Sequence, residues 1–152
     1  MNKTLRVLMI EDSENDAILM SRTLRREGYD VVYEIVDTSS AMHTALEHHD
    51  WDIITADHGM PKFSAPEALA IAKELRPDLP FIIVSGEIEI NMAVALMKGG
   101  AQDYVRKTEL FRLVPAIERG LKEAESIRKR RQAEEGLQKR VKELNCLYSI
   151  AY

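Results

Sequence analysis

Residues 53–57 read IITAD, a short apolar run that ends in a carboxylate, and this stretch decides the predicted fold. Three other apolar runs also stop at polar or charged residues, and they lie at 7–10, 81–84 and 104–105. Short runs of this kind, separated by helical patterns, are typical of buried parallel strands. Side chains that follow such strands meet beyond one edge of the sheet, where open parallel sheets bind ligands.

Helical patterns lie between these runs. Apolar side chains in residues 17–24 are spaced three and four apart, and Gly28 is placed to end that helix. We predict a second strand over residues 31–36 and a second helix around residues 41–46. The chain therefore alternates strand and helix from its first apolar run onward.

A capping pattern marks the third helix. Ser64 and Glu67 are three residues apart and Pro66 lies between them, which predicts a capping box and a helix over residues 65–75. A fourth helical pattern covers residues 92–98.

The fifth helix is the longest. Pro115 fits its first turn, after a short turn over residues 109–113, and no further proline interrupts the chain to residue 152. Five strands alternate with five helices, so we predict an α/β fold: a doubly wound five-stranded parallel sheet with a long C-terminal helical extension.

The extension carries a heptad stripe. Steps of four and three join Leu137, Val141, Leu144, Tyr148 and Ala151. One helix cannot bury this stripe alone, so we expect a homodimer through the C-terminal helix. The chain also stops on an apolar segment without a cap, and we expect a larger protein to continue beyond it.

Composition excludes several classes. With 152 residues and 45% apolar content, the chain can bury one domain core and carry an appendage. Residues 1–117 hold 12 Lys and Arg against 19 Asp and Glu, a balance that does not favour nucleic acid. No apolar stretch approaches the roughly 20 residues that span a bilayer, so we predict no direct membrane insertion. The single Cys146 fits a reducing cytoplasm, where we expect the protein.

Three carboxylates follow predicted strands. Glu11 and Asp12 come after the first, and Asp57 comes after the third. Mg²⁺ prefers oxygen ligands in octahedral geometry, and a carbonyl just after Asp57, such as that of Gly59, adds another oxygen. We therefore predict a Mg²⁺ site at this edge, where like charges repel one another in the absence of metal.

The same edge suits a phosphoryl group. A carboxylate can attack phosphorus and form an acyl phosphate, which would make Asp57 a nucleophile as well as a ligand. Lys107 would neutralise charge on the transferring group, and Ser85 would donate a hydrogen bond to a phosphoryl oxygen.

Four motifs in order resemble the receiver domain of two-component response regulators. They are IED at 10–12, DHGMP at 57–61, SG at 85–86 and GAQDYVRK at 100–107, and the match covers about residues 4–120. The resemblance implies a flavodoxin-like sheet of order 2-1-3-4-5. It also implies a receiver domain over residues 1–120 and a helical or coiled-coil linker over residues 121–152 toward a downstream domain.

The resemblance also implies roles for residues. Asp57 matches the phosphoacceptor, Glu11 and Asp12 match the acidic pair for Mg²⁺, and Gly59 matches the carbonyl ligand. Ser85 matches the switch hydroxyl, Tyr104 the switch aromatic and Lys107 the phosphate-binding lysine. The implied function is phosphotransfer from the phosphohistidine of a histidine kinase or phosphotransfer protein, by a signalling domain that is not itself an enzyme.

Some positions depart from the family pattern. Thr108 stands where a proline commonly follows the lysine, usually through a cis bond. The sequence therefore does not determine the conformation of the bond between Lys107 and Thr108. Residues 63–65, residues 81–86 and the charged extension resemble a subgroup in which the receiver precedes sensory and histidine-kinase modules.

Three other functions share part of this pattern. A pseudo-receiver would bind partners without phosphorylation, but the intact acidic pair, Asp57 and Lys107 argue against it. A haloacid-dehalogenase-type phosphatase needs a second acid two residues after its nucleophile, where this chain has Gly59. A basic-zipper DNA reader would use the RKRR run at 128–131, but glutamates flank that run at helical ion-pair spacing, which favours a solvated face.

Overall fold

A computed structural model describes the backbone of residues 3–151 and the side chains of residues 3–147. Five parallel strands form one sheet in the order β2-β1-β3-β4-β5. The strands are β1 Lys3–Ile10, β2 Tyr29–Val36, β3 Ile53–Ala56, β4 Phe81–Ser85 and β5 Asp103–Arg106. The helices are α1 Glu14–Arg26, α2 Ser39–His48, α3 Ala65–Leu75, α4 Ile90–Lys98 and α5 Leu113–Ala151, with a 3-10 helix over Lys107–Arg112. The predicted fold class and strand order are confirmed.

The sheet has a hydrophobic core on each face. Leu8 and Ile10 pack with α2, α3 and α4, whereas Val7 and Met9 pack with α1 and α5. Successive side chains of a strand point to opposite faces, so a strand covered on both faces needs an apolar residue at every position. This is why the central strands have continuous apolar runs in the sequence.

Local signals for the helix ends are confirmed. The Glu67 N–H donates to Ser64 Oγ over 3.3 Å, and the Ser64 hydroxyl donates to Glu67 Oε1 over 3.1 Å, so this pair caps α3. Gly28 follows the last turn of α1 with φ of +94°, a conformation that glycine adopts without steric cost.

Several boundaries differ from the sequence prediction. β1 begins at Lys3 rather than residue 7, because its polar start pairs with the edge strand β2, where Lys3 lies opposite Tyr29. α5 begins at Leu113, directly after the 3-10 helix, so Pro115 lies in its first turn as predicted. All peptide bonds of the described residues are trans, including the bond to Thr108.

The long helix α5 has two parts. Ala116 and Ile117 are buried against the sheet, whereas every side chain from residue 125 to residue 147 is exposed. The first part therefore belongs to the domain core and the second projects from it. Among the described helices, none combines the length and apolar content that a membrane crossing requires.

Two glycines of α5 allow a matched test of packing. A Cβ on Gly120 would lie 2.9 Å from Pro80 Cβ, whereas a Cβ on Gly136 would meet nothing within 4 Å. Alanine favours a helix over glycine by about 1 kcal/mol. We expect Gly136→Ala to increase helix content without lowering the melting temperature, whereas Gly120→Ala lowers it because the buried proline ring cannot yield. Circular dichroism during thermal unfolding measures both, and equal melting temperatures would contradict the close approach.

Candidate functional site

The sheet brings three carboxylates together at one edge. Ile10 and Ala56 are paired on the neighbouring strands β1 and β3, so the residues that follow them emerge side by side. Carboxylate oxygens of Glu11, Asp12 and Asp57 all lie within 4.8 Å of one another. Glu11 and Asp57 are buried, and Asp12 is exposed.

Lys107 lies among the carboxylates. Its Nζ donates to Asp57 Oδ2 over 2.8 Å and to Glu11 Oε1 over 3.2 Å. The predicted repulsion is present, since the charge of Asp57 helps to raise the pKa of Glu11, and the Lys107 ammonium opposes it.

Asp16 also contacts this lysine, and the sequence reasoning missed it. Lys107 Nζ lies 2.6 Å from Asp16 Oδ2, on the first turn of α1. The available signal was helix capping, since Ser13 is the N-cap of α1 and Asp16 is three residues further on. The capping pattern alone did not indicate the long-range partner.

The second oxygen of Asp57 has its own donors. Asp57 Oδ1 accepts the Gly59 N–H and the Ser85 hydroxyl, each over 2.9 Å. Ser85 is fully buried at the end of β4. Gly59 contacts Asp57 through its N–H, and the predicted ligand role of its carbonyl stays a prediction.

The environment moves three pKa values. Burial raises the pKa of Glu11 to about 7, although the contact with Lys107 opposes it. Burial also favours a higher pKa for Asp57, but hydrogen bonds from Lys107, Gly59 and Ser85 outweigh it and hold that pKa below its usual value. Burial acts to lower the pKa of Lys107. Its hydrogen bonds to Asp16, Asp57 and Glu11 outweigh burial, so the pKa of Lys107 is raised. Asp57 is therefore a carboxylate and Lys107 an ammonium at neutral pH.

The acidic residues fit a hard divalent cation. Glu11 Oε2 is buried and accepts no hydrogen bond in the described part of the chain, although Lys107 Nζ lies 3.0 Å away in ion-pair distance. A buried carboxylate oxygen with free lone pairs, beside two further carboxylates, offers the oxygen ligands that Mg²⁺ prefers.

Tyr104, on β5, is half-buried against the core and lines a cavity of about 670 Å³ together with His58 and Glu87. Its predicted switch role, like that of Ser85, stays a prediction.

The fold and the acidic site together define a parallel α/β domain with a polar site at the carboxyl ends of its strands. The model of the response regulator receiver domain matches residues 7–118. The chain belongs to this family, whose members are signalling domains.

Relatives and solved structures agree with this membership. The transcriptional regulator NtrC of Rhizobium meliloti is 30% identical over 118 residues, which are 77% of this chain and 24% of NtrC. The chain thus spans about a quarter of that relative. A receiver domain protein from Methanospirillum hungatei JF-1 superposes with a TM-score of 0.70 at 26% identity, covering 82% of this chain and 98% of that protein. The beryllofluoride-activated NtrC4 receiver domain, solved as a dimer, has a TM-score of 0.68 at 26% identity. The match covers 78% of this chain and 98% of that domain.

The raised pKa of Glu11 predicts a pH dependence of stability without metal. The folded protein holds a proton on Glu11 up to about pH 7, whereas the unfolded chain loses it near 4.5. Stability falls with pH wherever the native state binds more protons. In chelator, we expect the unfolding free energy of the wild type, relative to Glu11→Gln, to fall by about 2 kcal/mol between about pH 5 and pH 8. Denaturant unfolding measures it.

The control for this measurement is Glu14→Gln, because Glu14 is an exposed carboxylate on the neighbouring helix turn. Its unfolding free energy should follow the wild type at each pH. Parallel profiles for the wild type and Glu11→Gln would contradict the assigned burial effect.

Proposed function

We propose that this chain is a phosphoacceptor receiver, which takes a phosphoryl group onto Asp57 from the phosphohistidine of a histidine kinase or phosphotransfer protein. The observation that carries the proposal is the state of Asp57, an ionised carboxylate between Lys107 and Ser85 beside two further acids. Membership of the receiver family supports it.

The residues suit an in-line transfer. An oxygen of Asp57 attacks phosphorus, the new O–P bond forms as the P–N bond of the donor breaks, and the electron pair returns to the imidazole nitrogen. Glu11, Asp12, Asp57 and the Gly59 carbonyl would hold Mg²⁺, which when bound neutralises charge on the transferring group. Lys107 donates to a phosphoryl oxygen and needs little movement, since it already contacts Asp57.

Ser85 and Tyr104 carry the proposed switch. The Ser85 hydroxyl contacts Asp57 Oδ1 before transfer and would turn to a phosphoryl oxygen afterwards. Tyr104 would then move into the space that Ser85 leaves, changing the surface around α4, β5 and α5. Phosphorylation would bias two states of the domain that already exchange.

The runner-up function is a pseudo-receiver that binds partners without phosphorylation. The ammonium of Lys107 and the lowered pKa of Asp57 favour the phosphoacceptor, because both prepare a carboxylate nucleophile. In this proposal the chain accepts a phosphoryl group in the cytoplasm, and it is not itself an enzyme.

We further propose that residues 1–120 form the receiver and that residues 121–152 link it to a downstream domain. Leu137, Val141 and Leu144 of the heptad stripe are all exposed, with 64%, 48% and 54% of their surface accessible. The side chains of Tyr148 and Ala151, which complete the stripe, lie outside the described residues. A second copy of α5 would cover the stripe and form a homodimer. Nucleic acid is not among the partners in this proposal.

The phosphoacceptor proposal is tested with a small phosphodonor. We expect acetyl phosphate and Mg²⁺ to add one phosphoryl group to the wild type and none to Asp57→Asn, because the amide is a poor nucleophile. Intact-mass analysis measures the label. Chelator or Asp12→Asn should slow labelling, since both weaken the proposed metal site. Equal labelling of the wild type and Asp57→Asn would remove Asp57 from this role.

The dimer proposal is tested on the full chain. We expect the wild type to sediment as a dimer at high micromolar concentration and Leu144→Asp to sediment as a monomer, because the substitution places a charge in the apolar stripe. Cys146→Asp is the matched control, since residue 146 lies two positions away, off the stripe, and is exposed. A wild type that remains monomeric, or two variants that behave alike, would defeat the proposal.

A further inference from the structure

Lys107 divides its ammonium among three carboxylates, and one of them has no part in the proposed phosphoryl transfer. Its Nζ lies 2.6 Å from Asp16, 2.8 Å from Asp57 and 3.2 Å from Glu11. An ammonium has three N–H donors. Each carboxylate therefore takes one donor, and Lys107 must release a partner before it can bind a phosphoryl oxygen.

The start of α1 frees Asp16 for this contact. In a capping box the side chain at the position of Asp16 turns back to the N-cap N–H. Here the Ser13 N–H donates to Glu11 Oε1 over 3.1 Å instead. The Ser13 hydroxyl accepts the Asp16 N–H over 3.3 Å, which fixes the backbone of Asp16. Its carboxylate is left to reach Lys107 across the site.

Asp16 is the partner that Lys107 releases most easily. The side chain of Asp16 is 33% exposed, against 8% for Asp57 and 1% for Glu11. A released carboxylate that reaches water is hydrated again, whereas a buried one is left with an unsatisfied charge. Exchange of Asp16 for a phosphoryl oxygen is therefore the least costly rearrangement of this cluster.

We propose that Asp16 is a positioning residue that competes with the phosphoryl group for Lys107 and so weakens the hold of the site on that group. Before transfer, Asp16 keeps the ammonium at the mouth of the site. After transfer, its negative charge remains close to the anionic phosphoryl oxygens and draws Lys107 back. The inference rests on the proposed phosphoacceptor function.

Beryllofluoride with Mg²⁺ tests the competition in the full chain, because it occupies the place of a phosphoryl group. We expect Asp16→Asn to bind beryllofluoride roughly three- to tenfold more tightly than the wild type, the size of one charge-assisted contact at a partly exposed group. Asp16→Glu keeps the competing charge, so the beryllofluoride concentration at its titration midpoint should return toward the wild-type value. Titrations followed by amide NMR shifts measure the midpoints.

Glu14→Gln is the matched control. It removes the same charge from the same turn of α1, but Glu14 is exposed and is the first residue of the helix. Its beryllofluoride midpoint should stay at the wild-type value. The midpoint for Mg²⁺ alone should be the same for Asp16→Asn and Glu14→Gln, whereas damage to the fold would weaken Mg²⁺ and beryllofluoride binding together.

The outcomes separate the two proposals. A wild type that binds beryllofluoride, with Asp16→Asn binding no more tightly than Glu14→Gln, would overturn the role of Asp16 and leave the phosphoacceptor function standing. A wild type that binds no beryllofluoride in the presence of Mg²⁺ would overturn the proposed function, and the role of Asp16 with it.

Discussion

The ion pairs of Lys107 are the interaction on which the rest of the site depends. Buried carboxylates are stable only when they are paired or hydrogen-bonded, and Glu11 and Asp57 lie side by side with little access to water. The ammonium between them keeps Asp57 ionised, while Glu11 retains a raised pKa. Asp57 is therefore ionised at neutral pH, whereas the deeper burial of Glu11 places its pKa at about 7, so the two neighbouring acids titrate in different pH ranges.

Sheet order makes this arrangement possible. β1 and β3 are neighbours, so Glu11 and Asp57 emerge next to each other, and β4 and β5 follow on the same side. Ser85 ends β4 opposite Arg106 on β5, so Lys107 is the next residue of the chain beyond that edge. Glu11, Asp57 and Lys107 therefore come directly after strands, and Ser85 is the last residue of its strand. The rigid sheet, rather than the loops, sets the distances between them.

The sequence indicated the parts of this structure that depend on local patterns. Apolar runs and caps predicted the strands and α3, because covered strands and capped helices restrict which residues are allowed. Asp16 was missed because its partner is distant in sequence and a carboxylate near a helix start is ordinary. The early start of β1 was missed because its exposed residues pair through the backbone, which does not require apolar side chains.

Helix α5 joins two environments that require opposite properties. Its start must fit closely against the core, and Gly120 permits this because Pro80 leaves no room for a Cβ. Beyond residue 125 the same helix is surrounded by water, and its apolar side chains have no partner in the described part of the chain. A continuous helix passes a tilt or rotation at its packed end to its free end, since its backbone hydrogen bonds resist bending. The face that packs on the receiver and the stripe that would pack on a partner are therefore parts of one continuous helix, so a tilt at the packed end would displace the stripe.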